Sequence, residues 1–200
     1  MITPIEIGLL IFSYLLGSVP VGYLLTLRTT GKNIMELGSG NVGSTNVGRV
    51  AGKKMALLTQ LLDMAKGLIP VALVLYLKNK QIIMDDDYFV FGVALAAIVG
   101  HNFSIFLSGK GGKGVNTTLG ASLLIAPYAV FISVGIYFLV KWKTSYVSIG
   151  SLFLALSLPL SDLIIYSVSD RFYYLLICSF LILIRHSGNI KRLLKGTENH

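Results

Sequence analysis

The sequence predicts an all-α, polytopic integral membrane protein in which residues 1–200 form a single membrane-embedded domain. The chain is 54% hydrophobic and only 13% charged, and its mean hydropathy of +0.75 is too high for a soluble domain. Long apolar stretches recur along it, and basic residues cluster at a few of their flanks. The net charge of +8 therefore fits cytoplasmic loops and anionic lipid headgroups better than it fits a nucleic acid.

Six apolar stretches come near the roughly 20 residues that a transmembrane helix needs. They cover approximately Ile5–Leu27, Met55–Leu77, Tyr88–Leu107, Val115–Val140, Tyr146–Tyr166 and Phe172–Ile184. The first stretch has no basic segment before it and no small-residue cleavage site after it, so we expect a retained helix and not a removed signal peptide. The last stretch is short for a full crossing and would rely on its flanking residues.

The placement of charge favours seven transmembrane helices over six. Three flanks are basic and should lie in the cytoplasm. They contain Arg28, Lys32, Arg49, Lys53 and Lys54; Lys110 and Lys113; and Arg185, Lys191, Arg192 and Lys195. With the N-terminus outside, the first three helices obey this rule, but a single crossing by Val115–Val140 would put the basic tail outside. If this stretch crosses twice, with a break at Pro127, the basic tail lies in the cytoplasm again. Proline is a suitable place for the break because it ends or kinks a helix. Val115–Ala126 would then be a half-length helix of about 18 Å, shielded from lipid by protein.

Small and charged residues inside the predicted helices indicate how these helices pack. Gly17, Gly22 and Gly92 are typical of close helix contacts in lipid. Asp63 and Lys66 lie one turn apart in the second helix, and charges at membrane depth usually pair or line a polar cavity. We interpret this pair as a structural ion pair near a functional site.

A first polar cluster covers Gly38–Arg49 and reads GSGNVGSTNVGR. Glycine lets the backbone approach a ligand and turn its N–H groups inward, while the hydroxyl and amide side chains add neutral donors. Arg49 adds a cation with a planar donor fork. This chemistry suits a phosphate group; a flexible loop between two helices is the alternative. Gly38–Thr45 is close to a P-loop, but Ser44 occupies the position of the required lysine, which argues against an NTPase.

Two further polar clusters follow. The second joins Gly100-His101-Asn102 to Ser108–Thr117, which reads SGKGGKGVNT. Glycines interleaved with lysines directly before a helix predict an anion site at a helix N-terminus; a basic loop that touches lipid headgroups is the alternative. The third, Arg185–Glu198, places His186 and Asn189 three residues apart, on one face if the segment is helical; a basic stop-transfer tail is the alternative.

Other functions are disfavoured. The chain has one cysteine and three histidines, and no carboxylates group near His101 or His186, so we expect no bound metal and no other cofactor. We expect no nucleic-acid partner, because the interleaving of aromatic and basic residues found in strand-binding proteins is missing. A phosphate or organophosphate transporter is the alternative class. It would need inverted repeats or helices interrupted at mid-membrane, whereas the polar clusters here lie at one face.

The three clusters together resemble those of the bacterial acyl-phosphate:glycerol-3-phosphate acyltransferases, the PlsY family. The matching pieces are SGNVGSTNVGR at 39–49, GHNF and KGGKGVNT within 100–117, and RHSGNIKRLLKGTE at 185–198. The resemblance implies a seven-helix enzyme of the bacterial inner membrane whose motifs face the cytoplasm. It also implies transfer of a fatty acyl group from acyl phosphate to the 1-hydroxyl of sn-glycerol 3-phosphate, with lysophosphatidic acid and inorganic phosphate as products.

The resemblance also implies roles for individual residues. The expected catalytic residues are Ser39, Arg49, Lys113, His186 and Asn189. The expected substrate-binding residues are Gly40, Asn41, Thr45, Asn46, Gly109, Gly111, Gly112, Gly114, Asn116 and Thr117; the glycine-rich motif among them is associated with the phosphate of acyl phosphate. The chain departs from the family at Ser187-Gly188, where an Arg-Glu pair is usual, and this could alter how the third motif is held.

Acyl phosphate is an activated mixed anhydride, so the implied reaction needs no nucleophilic residue. The phosphate of the donor could accept the hydroxyl proton, and His186 as general base is the alternative. Catalysis would then consist of orientation and charge stabilisation. The expected partners are the two anionic substrates and membrane lipid. The sequence leaves open whether a soluble enzyme that makes acyl phosphate docks at the basic face.

Overall fold

The computed structural model describes residues 2–198, and within this range the protein is built from α-helices and contains no β-strand. The helices are α1 Pro4–Ser18, α2 Val21–Thr30, α3 Ser44–Ala51, α4 Lys53–Asn79, α5 Asp87–Asn102, α6 Val115–Ser122, α7 Pro127–Thr144, α8 Val147–Tyr166, α9 Asp170–Arg185 and α10 Ser187–Leu194. They fall into two compact units, Met1–Leu124 and Ile125–His200. The predicted all-α membrane fold is confirmed; the single domain over 1–200 stays a prediction.

The first unit contains α1 to α6, with α1 packed on α5 and with α4 packed on both α3 and α6. Glycines make these approaches close: a Cβ on Gly17 would overlap the backbone of Ala97 in α5, and one on Gly67 would overlap the backbone of α6 at Thr117. The predicted packing role of Gly17 is therefore confirmed, and Gly22 lies equally close to the Val42 carbonyl. The prediction for Gly92 is wrong, because a Cβ there would meet only a leucine side chain at ordinary distance.

The first apolar stretch is broken, although the sequence predicted one continuous helix over Ile5–Leu27. Pro20 lies between α1 and α2, and its ring removes an N–H donor and clashes with the preceding turn. Two carbonyls at the break accept hydrogen bonds from side chains elsewhere in this unit, and that of Val19 also accepts from the N–H of Val21 at 3.0 Å. The Ser104 hydroxyl donates to the carbonyl of Ser18 at 2.6 Å, and Lys66 Nζ donates to that of Val19 at 3.1 Å. A broken helix is tolerated in a membrane when neighbours satisfy its backbone in this way.

The predicted break within Val115–Val140 is confirmed. Helix α6 ends at Ser122 and α7 begins at Pro127, which occupies the first turn of the helix, where its missing N–H costs nothing. Helix α6 has only eight residues, or about 12 Å, so it is even shorter than the predicted half-length helix.

The second unit contains α7 to α10, in which α7 packs on α8 and α8 packs on α9. Helices α9 and α10 meet at His186 with a bend of 56°. Large apolar side chains face outward along this unit, among them Phe131 and Ile164, which are 66% and 77% exposed. Such exposure is expected where lipid and not water is the solvent.

Within the described residues, four helical segments are long and apolar enough to cross a membrane. They are Pro4–Thr30 with its break, Lys53–Asn79, Asp87–Leu107 and Val147–Tyr166, and the bent pair α9–α10 makes a fifth if it is counted as one span. The protein is thus polytopic, and the number of seven transmembrane helices stays a prediction.

Candidate active site

The first polar cluster is a loop that runs into a short helix. Its role in binding a phosphate group stays a prediction. Helix α3 begins at Ser44 and carries Thr45, Asn46 and Arg49. The loop before it is held from inside by Asn46, whose Oδ1 accepts from the Ser39 N–H at 3.0 Å.

The Asn46 amide also donates to two carbonyls of the same loop, those of Leu37 and Asn41, both at 2.9 Å. Asn46 is only 2% exposed. Asn46 therefore shapes the loop that carries Ser39, and its buried amide makes its hydrogen bonds within the protein. Its contact with a substrate stays a prediction.

The other predicted residues of this cluster lie where a ligand could reach them. Ser39, Thr45 and Arg49 are exposed, and Gly40 and Asn41 are half-buried. The Asn41 side chain accepts from the N–H of Gly43 at 2.9 Å and so fixes the turn that leads into α3. The loop therefore presents hydroxyl and guanidinium donors on a rigid base.

The second polar cluster is a glycine-rich loop that leads into α6, as predicted. Gly114 has a φ of +83°, a conformation that other residues adopt only at a cost, and the next residue begins the helix. Gly109 and Lys110 are exposed, Gly111, Lys113 and Asn116 are half-buried, and Gly112 and Gly114 are buried.

Thr117 is 0% exposed and lies where α6 packs on α4. Thr117 thus belongs to a helix interface, and its contact with a substrate stays a prediction.

The structure brings these two clusters together. The Asn116 amide, in the first turn of α6, donates to the hydroxyl of Ser44, the first residue of α3, at 3.3 Å. The two residues are 72 positions apart in the chain. The N-termini of α3 and α6 are therefore in contact. The first N–H groups of a helix have no intrahelical acceptors, and the positive end of its dipole lies there. Such a surface favours an anion such as phosphate.

A small pocket lies below this junction, between the two clusters. It is lined by Val42 of the first cluster, Gly111 of the second, and the buried side chains Asp63, Lys66 and His101. Asp63 and Lys66 form the predicted ion pair at 3.0 Å, with both side chains at most 5% exposed. The interpretation of this pair as structural and adjacent to the polar clusters agrees with its position.

The third cluster belongs to the second unit and is held by its own contacts. His186 is 2% exposed, and its Nδ1 lies 2.8 Å from the Ile182 carbonyl. A carbonyl only accepts, so Nδ1 carries the proton and Nε2 of the neutral ring is an acceptor. Asn189 is 7% exposed, and its amide donates to Glu198 at 2.5 Å. Convergence of this cluster with the other two stays a prediction.

Glu198 holds the third cluster together, and the residue-level prediction missed it although the quoted motif includes it. Its second carboxylate oxygen accepts from Arg192 Nε at 2.7 Å, so one carboxylate holds both Asn189 and Arg192. Burial raises the pKa of the Glu198 carboxyl, but hydrogen bonds from Asn189 and Arg192, the hydroxyl of Ser148 and the charge of Arg192 together bring the pKa below its ordinary value. The only acidic side chain in a basic tail was the available signal.

The departure at Ser187-Gly188 does not disturb this arrangement. Both residues are exposed in the first turn of α10, and Glu198 holds Asn189 without them. In the described part of the chain, no three His, Cys, Asp or Glu side chains are grouped as a metal site would require.

The fold and the two joined clusters define a class of protein: a helical membrane protein in which a glycine-rich loop and two helix N-termini meet. The family model "Glycerol-3-phosphate acyltransferase" matches residues 7–196. The chain belongs to this glycerol-3-phosphate acyltransferase family and is an integral membrane enzyme of the PlsY type.

Individual relatives and structures agree with this membership. The glycerol-3-phosphate acyltransferase of Clostridium acetobutylicum is 38% identical over 187 residues, which is 93% of this chain and 94% of that protein. The enzyme of Syntrophotalea carbinolica is 39% identical over 96% of this chain and 95% of its own. Among solved structures, the glycerol 3-phosphate form of PlsY (YgiH) is 33% identical, with a TM-score of 0.88, and the match covers 98% of this chain and 94% of that one. Its lysophosphatidic acid form gives a TM-score of 0.84 with the same coverage.

Proposed function

We propose that this enzyme transfers a fatty acyl group from acyl phosphate to the 1-hydroxyl of glycerol 3-phosphate and releases inorganic phosphate. The contact of α3 with α6 through Ser44 and Asn116 carries the proposal, because it joins two anion-favouring helix ends into one surface. Both proposed substrates present a phosphate group to such a surface. PlsY has been solved in a glycerol 3-phosphate form and in a lysophosphatidic acid form, and these two compounds are the acceptor and a product of the proposed reaction.

The two phosphate groups require cations and hydrogen-bond donors that replace water. Exposed Arg49 offers a planar fork that can bind two phosphate oxygens at once. Half-buried Lys113 adds a point charge next to the N–H groups of the glycine-rich loop. Thr45 lies four residues before Arg49 on α3, on the same helix face, and Ser39 is exposed in the loop before that helix. We propose that the two hydroxyls complete the phosphate contacts.

The acyl transfer itself needs few protein groups. The 1-hydroxyl oxygen forms a bond to the acyl carbon, the bond from this carbon to the phosphate oxygen breaks, and the departing phosphate accepts the hydroxyl proton. The protein then contributes by holding hydroxyl and acyl carbon in contact and by stabilising the negative charge on the carbonyl and phosphate oxygens. No residue becomes acylated.

We assign His186 and Asn189 to orientation of the acceptor. With Nδ1–H bonded to the Ile182 carbonyl, His186 can offer only Nε2, as an acceptor for a hydroxyl proton. His186→Gln tests this assignment, because glutamine keeps an acceptor but is not a useful base. We expect kcat to fall no more than about tenfold, whereas a general base contributes roughly 100- to 10,000-fold. A loss of several orders of magnitude with unchanged KM values would make His186 the base instead.

The direct test of the reaction uses the purified protein in detergent. It is offered glycerol 3-phosphate with acyl phosphate or with acyl-CoA, and both phosphate release and lysophosphatidic acid formation are followed. We expect the two products in equal amounts with acyl phosphate, and none with acyl-CoA. Lysophosphatidic acid from acyl-CoA without phosphate release would refute the assigned donor.

We further propose that the enzyme lies in the bacterial inner membrane with the three clusters toward the cytoplasm. The basic residues around the clusters support this orientation by the positive-inside rule. Docking of a soluble enzyme that makes acyl phosphate at this basic face would deliver the donor directly, and it belongs to the same proposal.

A further inference from the structure

The buried group below the two clusters has no role in the reaction described above. Asp63 is 2% exposed, Lys66 is 4% exposed and His101 is 6% exposed, so three ionisable side chains are buried together. Burying such groups costs several kcal/mol unless they are paired and hydrogen-bonded. A group of this kind requires an explanation from its contacts.

The three buried side chains contact both the break between α1 and α2 and the end of α5. Lys66 Nζ lies 3.0 Å from Asp63 Oδ1 and also donates to the Val19 carbonyl at the break between α1 and α2. The same Asp63 oxygen lies 3.7 Å from His101 Nδ1, at the end of α5. One carboxylate therefore joins the broken first helix to the residue from which the glycine-rich loop departs.

On its other side, His101 is in direct contact with the glycine-rich loop. The N–H of Gly112 donates to the His101 carbonyl at 3.0 Å. A Cβ built on Gly112 would overlap the His101 ring at Nε2. The ring thus lies between Asp63 at Nδ1 and the loop backbone at Nε2, and the loop can rest there only because residue 112 has no side chain.

The neighbouring glycine makes a different contact. A Cβ on Gly111 would overlap the carbonyl oxygens of His101 and Asn102, which are backbone atoms that no side-chain truncation removes. Gly111 and Gly112 therefore form a matched pair: the same substitution at adjacent positions of one loop meets the His101 backbone in one case and the His101 ring in the other.

We propose that Asp63, Lys66 and His101 are positioning residues that hold the glycine-rich loop in the shape that binds the phosphate group of a substrate. Lys66 fixes the Asp63 carboxylate, Asp63 orients the His101 ring, and the ring supports the loop at Gly112. The proposal rests on the proposed function, since it concerns the loop that this function assigns to phosphate. Which of the two substrate phosphates the loop takes is decided by the experiment.

A double-mutant cycle tests the contact between His101 and Gly112. Gly112→Ala should raise the KM of one phosphate substrate at least tenfold, because the new methyl group displaces the loop from the ring. His101→Ala also raises this KM. When both changes are present, the methyl group occupies space that the ring has left, so the KM should be no higher than in His101→Ala alone.

Gly111→Ala is the control, because its clash is with backbone. In the Gly111→Ala, His101→Ala double variant, the fold-increase in KM should equal the product of the fold-increases of the two single variants. The proposal is overturned if the Gly112→Ala and His101→Ala effects also multiply, or if Gly111→Ala shows the same relief.

Asp63→Asn tests the ionic part of the network. It keeps the shape of the side chain and should raise the same KM about tenfold, with kcat and the other KM within about threefold. A merely structural role would instead reduce the amount of active enzyme and leave both KM values unchanged. If this variant does not fold because Lys66 is left unpaired, Asp63→Asn with Lys66→Met removes both charges and is expected to show the same rise in KM. Normal KM values in the folded variant contradict the proposal.

The wild-type enzyme in the same assay separates the two levels of inference. If it releases no phosphate from acyl phosphate and glycerol 3-phosphate, the proposed function fails. If it does so and the His101–Gly112 cycle is multiplicative, only the positioning network fails.

Discussion

Replacement of Glu198 by glutamine tests whether the end of the chain holds a catalytic residue in place. The carboxylate accepts from Asn189 at 2.5 Å and from Arg192 at 2.7 Å. Glutamine keeps the shape but has a single acceptor oxygen and an NH2 group that faces the other donor. Either Asn189 or Arg192 therefore loses its partner, and hydrogen bonds to a charged group are each worth about 1.5–3 kcal/mol.

We expect the free energy of the interaction that positions Asn189 to weaken by about 2 kcal/mol. Since about 1.36 kcal/mol corresponds to a tenfold change in rate, kcat should fall roughly 30-fold. The measurement is kcat for phosphate release, with active-enzyme concentration determined for each variant. Arg192→Gln is the matched control: it removes the second donor and leaves the bond from Asn189 to the carboxylate, so kcat should fall less than about fivefold. A Glu198→Gln enzyme with kcat within threefold of wild type would show that Asn189 does not depend on this carboxylate.

Three further outcomes are expected. Gly67→Ala should destabilise the protein by about 1–3 kcal/mol, because the new methyl group overlaps the backbone of α6. Gly8→Ala is the control, since a Cβ there meets nothing within 4 Å. This control should leave the melting temperature in detergent unchanged or raise it. In a chain without its native cysteine, Trp142→Cys and Lys195→Cys should be labelled from the same, cytoplasmic side by a membrane-impermeant reagent. The pKa of Glu198 in the folded protein lies below the ordinary value of 4.5. Its ionised form therefore stabilises the fold above pH 4.5, and this contribution is lost as the pH falls through the folded pKa. Glu198→Gln should flatten the acid side of a stability–pH curve for this reason.

Each of these outcomes has a clear contradiction. Equal melting temperatures for the two glycine variants would mean that α4 and α6 do not pack as described. Labelling of the two cysteines from opposite sides would remove the double crossing on which the count of seven helices rests. A stability–pH curve identical for wild type and Glu198→Gln would show that this carboxylate is not held more tightly in its ionised form.

Local chemistry predicted part of the helical architecture and missed another part for a physical reason. Pro127 was recognised as a break because charge on both sides of Val115–Val140 demanded an extra crossing. Pro20 carries the same steric signal, but Ile5–Leu27 has the length of one span and no charge forced a break. The donors that make the break tolerable come from Lys66 and Ser104, which are 47 and 86 residues away from their acceptors. Such partners are not visible in a local pattern.

The candidate site divides in the same way. Composition predicted where the two glycine-containing clusters lie in the chain, and the structure brings them into contact through Asn116 and Ser44. It could not show that Ser44–Ala51 is helical, since Gly48 lowers the helix propensity of this segment and tertiary packing on α4 offsets it. It also could not distinguish Asn46, which hydrogen-bonds its own loop, from residues that face a ligand.

The broken first helix has a consequence for the order in which the protein is assembled. The carbonyls of Val19 and Ser18 receive their donors from Lys66 and Ser104, which leave the ribosome well after the first hydrophobic segment has entered the bilayer. Until those later segments are inserted, the side chains of Lys66 and Ser104 are not available to these two carbonyls, so the folded arrangement of the break cannot be complete. Its final geometry is therefore a late event in biogenesis, set by segments synthesised after it.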